Sequence, residues 1–306
     1  MRIAMLGAGA MGSLFGGLLA ERGHAVSLLD VDDARLAALR RDGLLLDTDA
    51  GARRVTGLRA LRPEEADAPP ALVVVFTKAR HTRAALAGVR ALLADDTLVL
   101  TLQNGLGNVE AIREQVPVER ILVGVTTWPA DLAGPAHVRS HGTGGIRLMS
   151  ADGVARASAH MVAEMLDAAG LHCTVDPDIW AAIWEKVAFN AALNPLCTVT
   201  GCTVDQLGAC DDGPSLALAV VAETLAVARA RGIAVDEGVV RANVLHAIAE
   251  HRGHRPSMLQ DALAARRTEI EAINGAVVAA ARDAGVATPC TEMLLRLVRV
   301  IDARAG

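Results

Sequence analysis

Apolar and polar positions follow two different rhythms along this chain. In roughly the first 170 residues, short apolar runs alternate with stretches of helical period. Arg2 to Leu6 is a buried-strand run. A glycine-punctuated turn and a helical stretch, Ser13 to Arg22, follow, and Ala25 to Leu29 is a second apolar run ending in Asp30. Asp33 to Arg41 reads as helix, and Leu44 to Val55 as a hairpin or irregular strand pair around Asp49-Ala50-Gly51. Ala71 to Phe76, Thr97 to Leu102 and Ile121 to Thr126 are continuous β-branched runs of the kind buried on both faces of a sheet. A helix spans about Thr82 to Ala94. His137 to His141 and Gly145 to Met149 read as edge strands, and Ala155 to Ala169 as a helix stopped by Gly170. After Val175 the period is helical throughout: Asp178 to Leu193, broken by Pro195; Leu216 to Ala230; Val239 to Glu250; a stretch from Ser257; Ile270 to Asp283; and Thr291 to Ile301. The pattern predicts an α/β domain with a largely parallel sheet over residues 1–170, then an all-α domain over 171–306. The cleft between them is the expected place for a reaction.

The first turn sharpens that expectation. Gly7-Ala8-Gly9-Ala10-Met11-Gly12 lies between a strand and a helix, the context of a Rossmann-like dinucleotide site. Gly7 makes the tight turn, Gly9 lets a pyrophosphate approach the backbone, and Gly12 lets helix and strand pack closely. The pyrophosphate is expected on free N–H groups at the helix start. Asp30, at the end of the second strand, stands where an acid accepts from a ribose 2′-hydroxyl.

Composition narrows the classes. With 306 residues, 52% of them hydrophobic, the chain builds a substantial core. A net charge of -5 with scattered charges argues against nucleic acid as a partner. No uninterrupted apolar run suggests a membrane span, and the start reads as a strand–turn–helix unit rather than a signal peptide. Five cysteines without a C-x-x-C pair fit a reducing, cytoplasmic setting and no metal site. Of 30 basic residues only Lys78 and Lys186 are lysines. A position that keeps lysine where arginine is the rule suits a compact ammonium able to give up a proton.

Three groups of residues have chemistry to offer. Lys186, Asn190 and Asn194 are spaced four apart on an otherwise apolar helix and share a face. Such a polar stripe lines a site or closes a buried hydrogen-bond network. Ser257 opens a later helix, as a substrate contact or merely a cap. Glu269 borders the apolar stripe Ile270, Ile273 and Val277, and is harder to explain than Glu271, which can pair with Arg267. Lys78 follows one strand, and Gln103, Asn104 and Gly105 follow the next, where open α/β sheets bind ligands.

Taken together, Gly7 to Gly12, Lys78, Gln103-Asn104-Gly105, Trp184-Glu185-Lys186 with Asn190 and Asn194-Pro195-Leu196, Ser257-Met258-Leu259-Gln260-Asp261, and Thr268-Glu269-Ile270 leading to Ile273-Asn274-Gly275 resemble the ketopantoate reductase (2-dehydropantoate 2-reductase) family nearly end to end. The resemblance implies hydride reduction of a small 2-keto acid in pantothenate biosynthesis, with NADP(H) as the family expectation. It implies Lys186 as proton donor to the keto oxygen and Glu269 as holder of the substrate hydroxyl and of the lysine. Asn190, Asn194 and Ser257 would orient the substrate, and Lys78 and Asn104 would complete the site from the cofactor domain. Two departures stand out. Leu29-Asp30-Val31-Asp32-Asp33 replaces the family's arginine for the 2′-phosphate, which favours NAD(H) over NADP(H). His254 stands where some relatives have asparagine, and Thr288-Pro289-Cys290-Thr291 lacks another, so the keto acid itself can differ. The alternatives are an NAD-dependent dehydrogenase of another small 2-keto or 2-hydroxy acid and a non-catalytic nucleotide-binding protein. Monomer and homodimer both stay open.

Overall fold

A computed structural model describes residues 1–304. It divides into two compact units. The first comprises Met1–Gln103 with Asn108–Ile179, the second Asn104–Gly107 with Trp180 onward.

The first unit carries twelve strands: β1 (Arg2–Leu6), β2 (Ala25–Leu29), β3 (Leu44–Thr48), β4 (Gly51–Val55), β5 (Arg59–Leu61), β6 (Leu72–Val75), β7 (Leu98–Thr101), β8 (Ile121–Thr126), β9 (Asp131–Gly134), β10 (His137–Ser140), β11 (Ile146–Ser150) and β12 (Cys173–Val175). Eight form one sheet in the order β12-β11-β8-β7-β6-β1-β2-β5, parallel except where β11 runs against β8. The strand order reverses at β1, which pairs with β2 on one side and β6 on the other; this is the switch point where such sheets bind ligands. β4-β3-β10-β9 form a separate small sheet. The five helices of this unit are α1 (Ala10–Glu21), α2 (Asp33–Asp42), α3 (Thr82–Gly88), α4 (Asn108–Arg113) and α5 (Ala157–Ala168). Every residue of β6 and β7 is buried, as apolar runs without alternation require.

The second unit is helical: α6 (Ile179–Thr200), α7 (Val204–Gly208), α8 (Gly213–Ala230), α9 (Glu237–Glu250), α10 (Ser257–Leu263), a π-turn (Glu271–Gly275), α11 (Ala276–Ala284) and α12 (Pro289–Asp302). Its core includes Ala188, Leu193, Val221, Leu225, Val244 and Ile273. By length and composition α8 is apolar enough to cross a membrane, yet Ala217, Val220, Val221 and Leu225 on it belong to this core.

The α/β-then-α architecture is the one the periodicity predicts. Its details differ in several places. The division falls after Ile179 rather than after residue 170, because β12 pairs in parallel with β11. His137–Ser140 and Ile146–Ser150 are interior strands, covered by β9 and β12, which are too short for their pattern to register. The helix at Thr82 ends at Gly88, whose missing side chain weakens it, and a 3₁₀ turn follows. Pro195 does not break α6, which runs on to Thr200.

Candidate active site

In the first unit the glycine turn is built as its spacing requires. Gly7 has φ +106°, open to glycine and strained for other residues. A Cβ on Gly12 would fall 1.9 Å from the Gly7 carbonyl oxygen, whereas one on Gly9 would meet nothing within 4 Å. No side chain caps the start of α1, where Gly9 is the N-cap. An open approach to an uncapped helix start fits a dinucleotide pyrophosphate. Asp30 is drawn into the same turn. One carboxylate oxygen accepts from the Ala8 N–H at 2.7 Å and from the Arg35 guanidinium at 3.2 Å; the other accepts from Val31 and Asp32 N–H groups at 2.8 and 3.0 Å. Lys78 is partly covered at the end of the turn after β6. Gln103 is a structural pin: its amide donates to the Thr77 carbonyl at 2.6 Å and to Thr82 Oγ1 at 2.9 Å.

Asn104 is placed differently from expectation. Although it follows β7, Asn104–Gly107 packs as part of the helical unit, where the Leu106 N–H donates to the Ala272 carbonyl at 2.8 Å. Gly105 is required there. Its φ is +83°, and a Cβ would lie 2.3 Å from that carbonyl oxygen.

Lys186, Asn190 and Asn194 do share a face of α6. Lys186 and Asn190 are partly covered and Asn194 is buried. Burial lowers Lys186 from 10.5 to about 8, and the charge of Glu269, acting on the same ammonium, pulls the other way. The pair is therefore a lysine poised near neutrality beside an acid. Glu269 is half-buried just before the π-turn, and its carbonyl accepts from the N–H groups of Ala272 and Ile273. Glu271 pairs with Arg299 at 2.6 and 2.7 Å, with the Arg267 charge also acting on it, whereas the charge of Glu269 acts on Lys186. Ser257 is exposed and does not cap: Pro256 is the N-cap of α10. The His254 carbonyl accepts from Val204 N–H, and its ring stands edge-on to His251.

The missing asparagine near Pro289 has a structural answer. Thr291 is fully buried, and its N–H and hydroxyl both donate to Glu223 of α8, at 2.8 and 2.7 Å. That region fastens α12. Sequence reasoning missed Glu223, a lone glutamate in an apolar helix.

Residues 3–153 match the family described as "Ketopantoate reductase PanE/ApbA", and residues 178–302 match "Ketopantoate reductase PanE/ApbA C terminal". The chain belongs to the ketopantoate reductase family. It is 36% identical over 302 residues to the 2-dehydropantoate 2-reductase of Halobacterium salinarum, covering 98% of each chain. It is 33% identical to that of Streptococcus pyogenes serotype M1, covering 99% of this chain and 98% of the relative. Among solved structures, a D-mandelate dehydrogenase in complex with NADH and anilino(oxo)acetate superposes with a TM-score of 0.95 at 32% identity, over 100% of this chain and 99% of that one. The 2-dehydropantoate 2-reductase from Geobacter metallireducens gives 0.92 at 32% identity, over 98% of this chain and 99% of that one. This ketopantoate reductase family member is thus an NAD(P)-dependent oxidoreductase acting on a small 2-keto or 2-hydroxy acid.

Proposed function

We propose that the chain reduces 2-dehydropantoate (ketopantoate) to pantoate, with NADH as the preferred reductant and Lys186 as proton donor. What supports this reading is the face that Lys186, Asn190 and Asn194 share on α6, with Lys186 lowered to about 8 by burial in the field of Glu269, in a chain 36% identical to a 2-dehydropantoate 2-reductase. A bound nicotinamide would supply the hydride to the carbonyl carbon. As charge grows on the carbonyl oxygen, the Lys186 ammonium stabilises it and passes its proton across, leaving a neutral amine. At about 8 that ammonium is largely present at neutral pH and releases its proton far more readily than a free lysine. Glu269 holds the charged form against the burial that opposes it, and its carboxylate is the acceptor for the substrate's hydroxyl. Asn190, Asn194, Ser257 and Asn104 supply hydrogen bonds to orient the keto acid, and Lys78 a charge for substrate or cofactor. Gly7 to Gly12 would hold the pyrophosphate. Asp30, with its carboxylate at the glycine turn, supports NADH, since a 2′-phosphate there meets an acid.

A second reading has a specific observation behind it. The likeness to an NADH-bound D-mandelate dehydrogenase, together with Asp30, favours NAD-linked turnover of a different 2-hydroxy acid. Steady-state kcat/KM for ketopantoate with NADH and NADPH, for wild type and Lys186→Ala, separates the two. Ketopantoate turnover that prefers NADH and falls by about 10²–10⁴-fold in the variant supports the first reading. Turnover of mandelate-type 2-hydroxy acids with NAD, and little of ketopantoate, replaces it with the second. A clear NADPH advantage sinks the cofactor assignment.

A further inference from the structure

α6 passes through Pro195, which has no N–H to offer the carbonyl four residues back, that of Ala191. That carbonyl is met from elsewhere: Nδ2 of Asn274 donates to it at 3.0 Å. Asn274 is fully buried, and among the described residues its Oδ1 has no hydrogen-bond partner. A residue kept only to fill this space would be apolar, because an orphaned buried carbonyl is unfavourable. The amide is there for its N–H. Ala191 lies between Asn190 and Asn194 on the helix that carries Lys186, so the bond acts on the stretch whose face holds the candidate site.

Asn274 itself sits in the π-turn Glu271–Gly275, a wide turn of the kind that gathers at functional sites. The same turn is tied at two further points. The Glu269 carbonyl accepts from its Ala272 and Ile273 N–H groups, and its Ala272 carbonyl accepts from Leu106, two residues from Asn104. Three separate contributors, α6, Glu269 and the Asn104 segment, are fastened to one turn of five residues.

We propose that Asn274 is a positioning residue: by supplying the donor that Pro195 lacks, it sets the course of α6 and so the aim of Lys186, Asn190 and Asn194 toward Glu269 and Asn104. This rests on the reading of Lys186 and its neighbours as the site. The test compares full-length wild type, Asn274→Leu, Pro195→Ala and the double variant, with Lys186→Ala as reference, in keto acid reduction across pH. Asn274→Leu is expected to lose about 10- to 100-fold in kcat/KM, the cost of a small misplacement. Its high-pH limb is expected to move upward as Lys186 gains water. Pro195→Ala restores a backbone N–H for Ala191, so the double variant recovers both rate and limb. Wild-type rate and limb in Asn274→Leu, or a defect that Pro195→Ala does not repair, overturns the proposal. Should Asn274→Leu not fold, Asn274→Ser, too short to reach Ala191, takes its place under the same criteria. Full activity in Lys186→Ala would instead overturn the site reading. An inactive Lys186→Ala beside an unaffected Asn274 variant fails the present proposal alone.

Discussion

A lysine whose ammonium is less favoured inside the fold than outside works against folding at pH 7. Lys186, lowered from 10.5 to about 8, is charged in both states below pH 8, where its full cost, on the order of 3 kcal/mol, applies. Between pH 8 and 10.5 the folded form becomes neutral first and the cost fades. Lys186→Met should therefore stabilise the protein at pH 7, with the gain shrinking from pH 8 toward 10.5 and activity lost; urea titrations at a series of pH values measure it. If Lys186 is the acid, kcat/KM for reduction should hold below about pH 8 and fall about tenfold per pH unit above it. Asp30 gives a second prediction at this scale. Arg35 is ion-paired with Asp30 at 3.2 Å and with Asp32 at 3.6 Å. Removing one acid with Asp30→Ser should free that guanidinium for a 2′-phosphate and raise the NADPH-to-NADH ratio of kcat/KM by about tenfold or more. The loss of its bond from the Ala8 N–H should cost about 1–3 kcal/mol in stability. Lys186 was legible in the sequence because lysine is rare in this chain. The clasp of Asp30 on Ala8 and Arg35 was not, since nothing in spacing says which donors a carboxylate finds.

Elements were legible where their pattern was long and where a local residue ended them. α8, α9 and α12 fall close to their apolar periods, and β8 coincides with its run. Errors came where a partner distant in sequence changed the outcome. Pro195 argues for a helix end, and only a donor more than seventy residues later lets α6 continue. α12 is a like case. Its N-cap, Thr288, makes no side-chain capping bond, and the work falls to Glu223, which accepts from the N–H groups of Cys290 and Thr291 and from the Thr291 hydroxyl. Glu223→Leu leaves those three donors without their acceptor and should cost about 1–3 kcal/mol, read from the midpoint of a urea transition. A change below a few tenths would mean that water replaces the carboxylate.

At the scale of the molecule, Gly7 to Gly12 and Asp30, proposed to hold the cofactor, and Lys186, the proposed proton donor, belong to different compact units, each with its own core. Binding of the dinucleotide and the chemistry at the keto group should then be separable by substitution. Gly9 is the discriminating position. A Cβ there meets no protein atom within 4 Å, so Gly9→Val adds bulk only to the space where the pyrophosphate is expected. Gly12→Val is the contrast, since even its Cβ collides with the Gly7 carbonyl. Gly9→Val should keep a melting temperature close to wild type yet weaken NADH binding by at least about tenfold, followed by nicotinamide fluorescence. Gly12→Val should lose stability as well. Lys186→Met should keep the NADH dissociation constant within a factor of about two while abolishing turnover. If Gly9→Val bound NADH as wild type does, the glycine turn would be a packing device, and the dinucleotide would have to be sought elsewhere on the sheet. If Lys186→Met lost NADH binding, the lysine would be holding the cofactor, and the proton would have to come from another group.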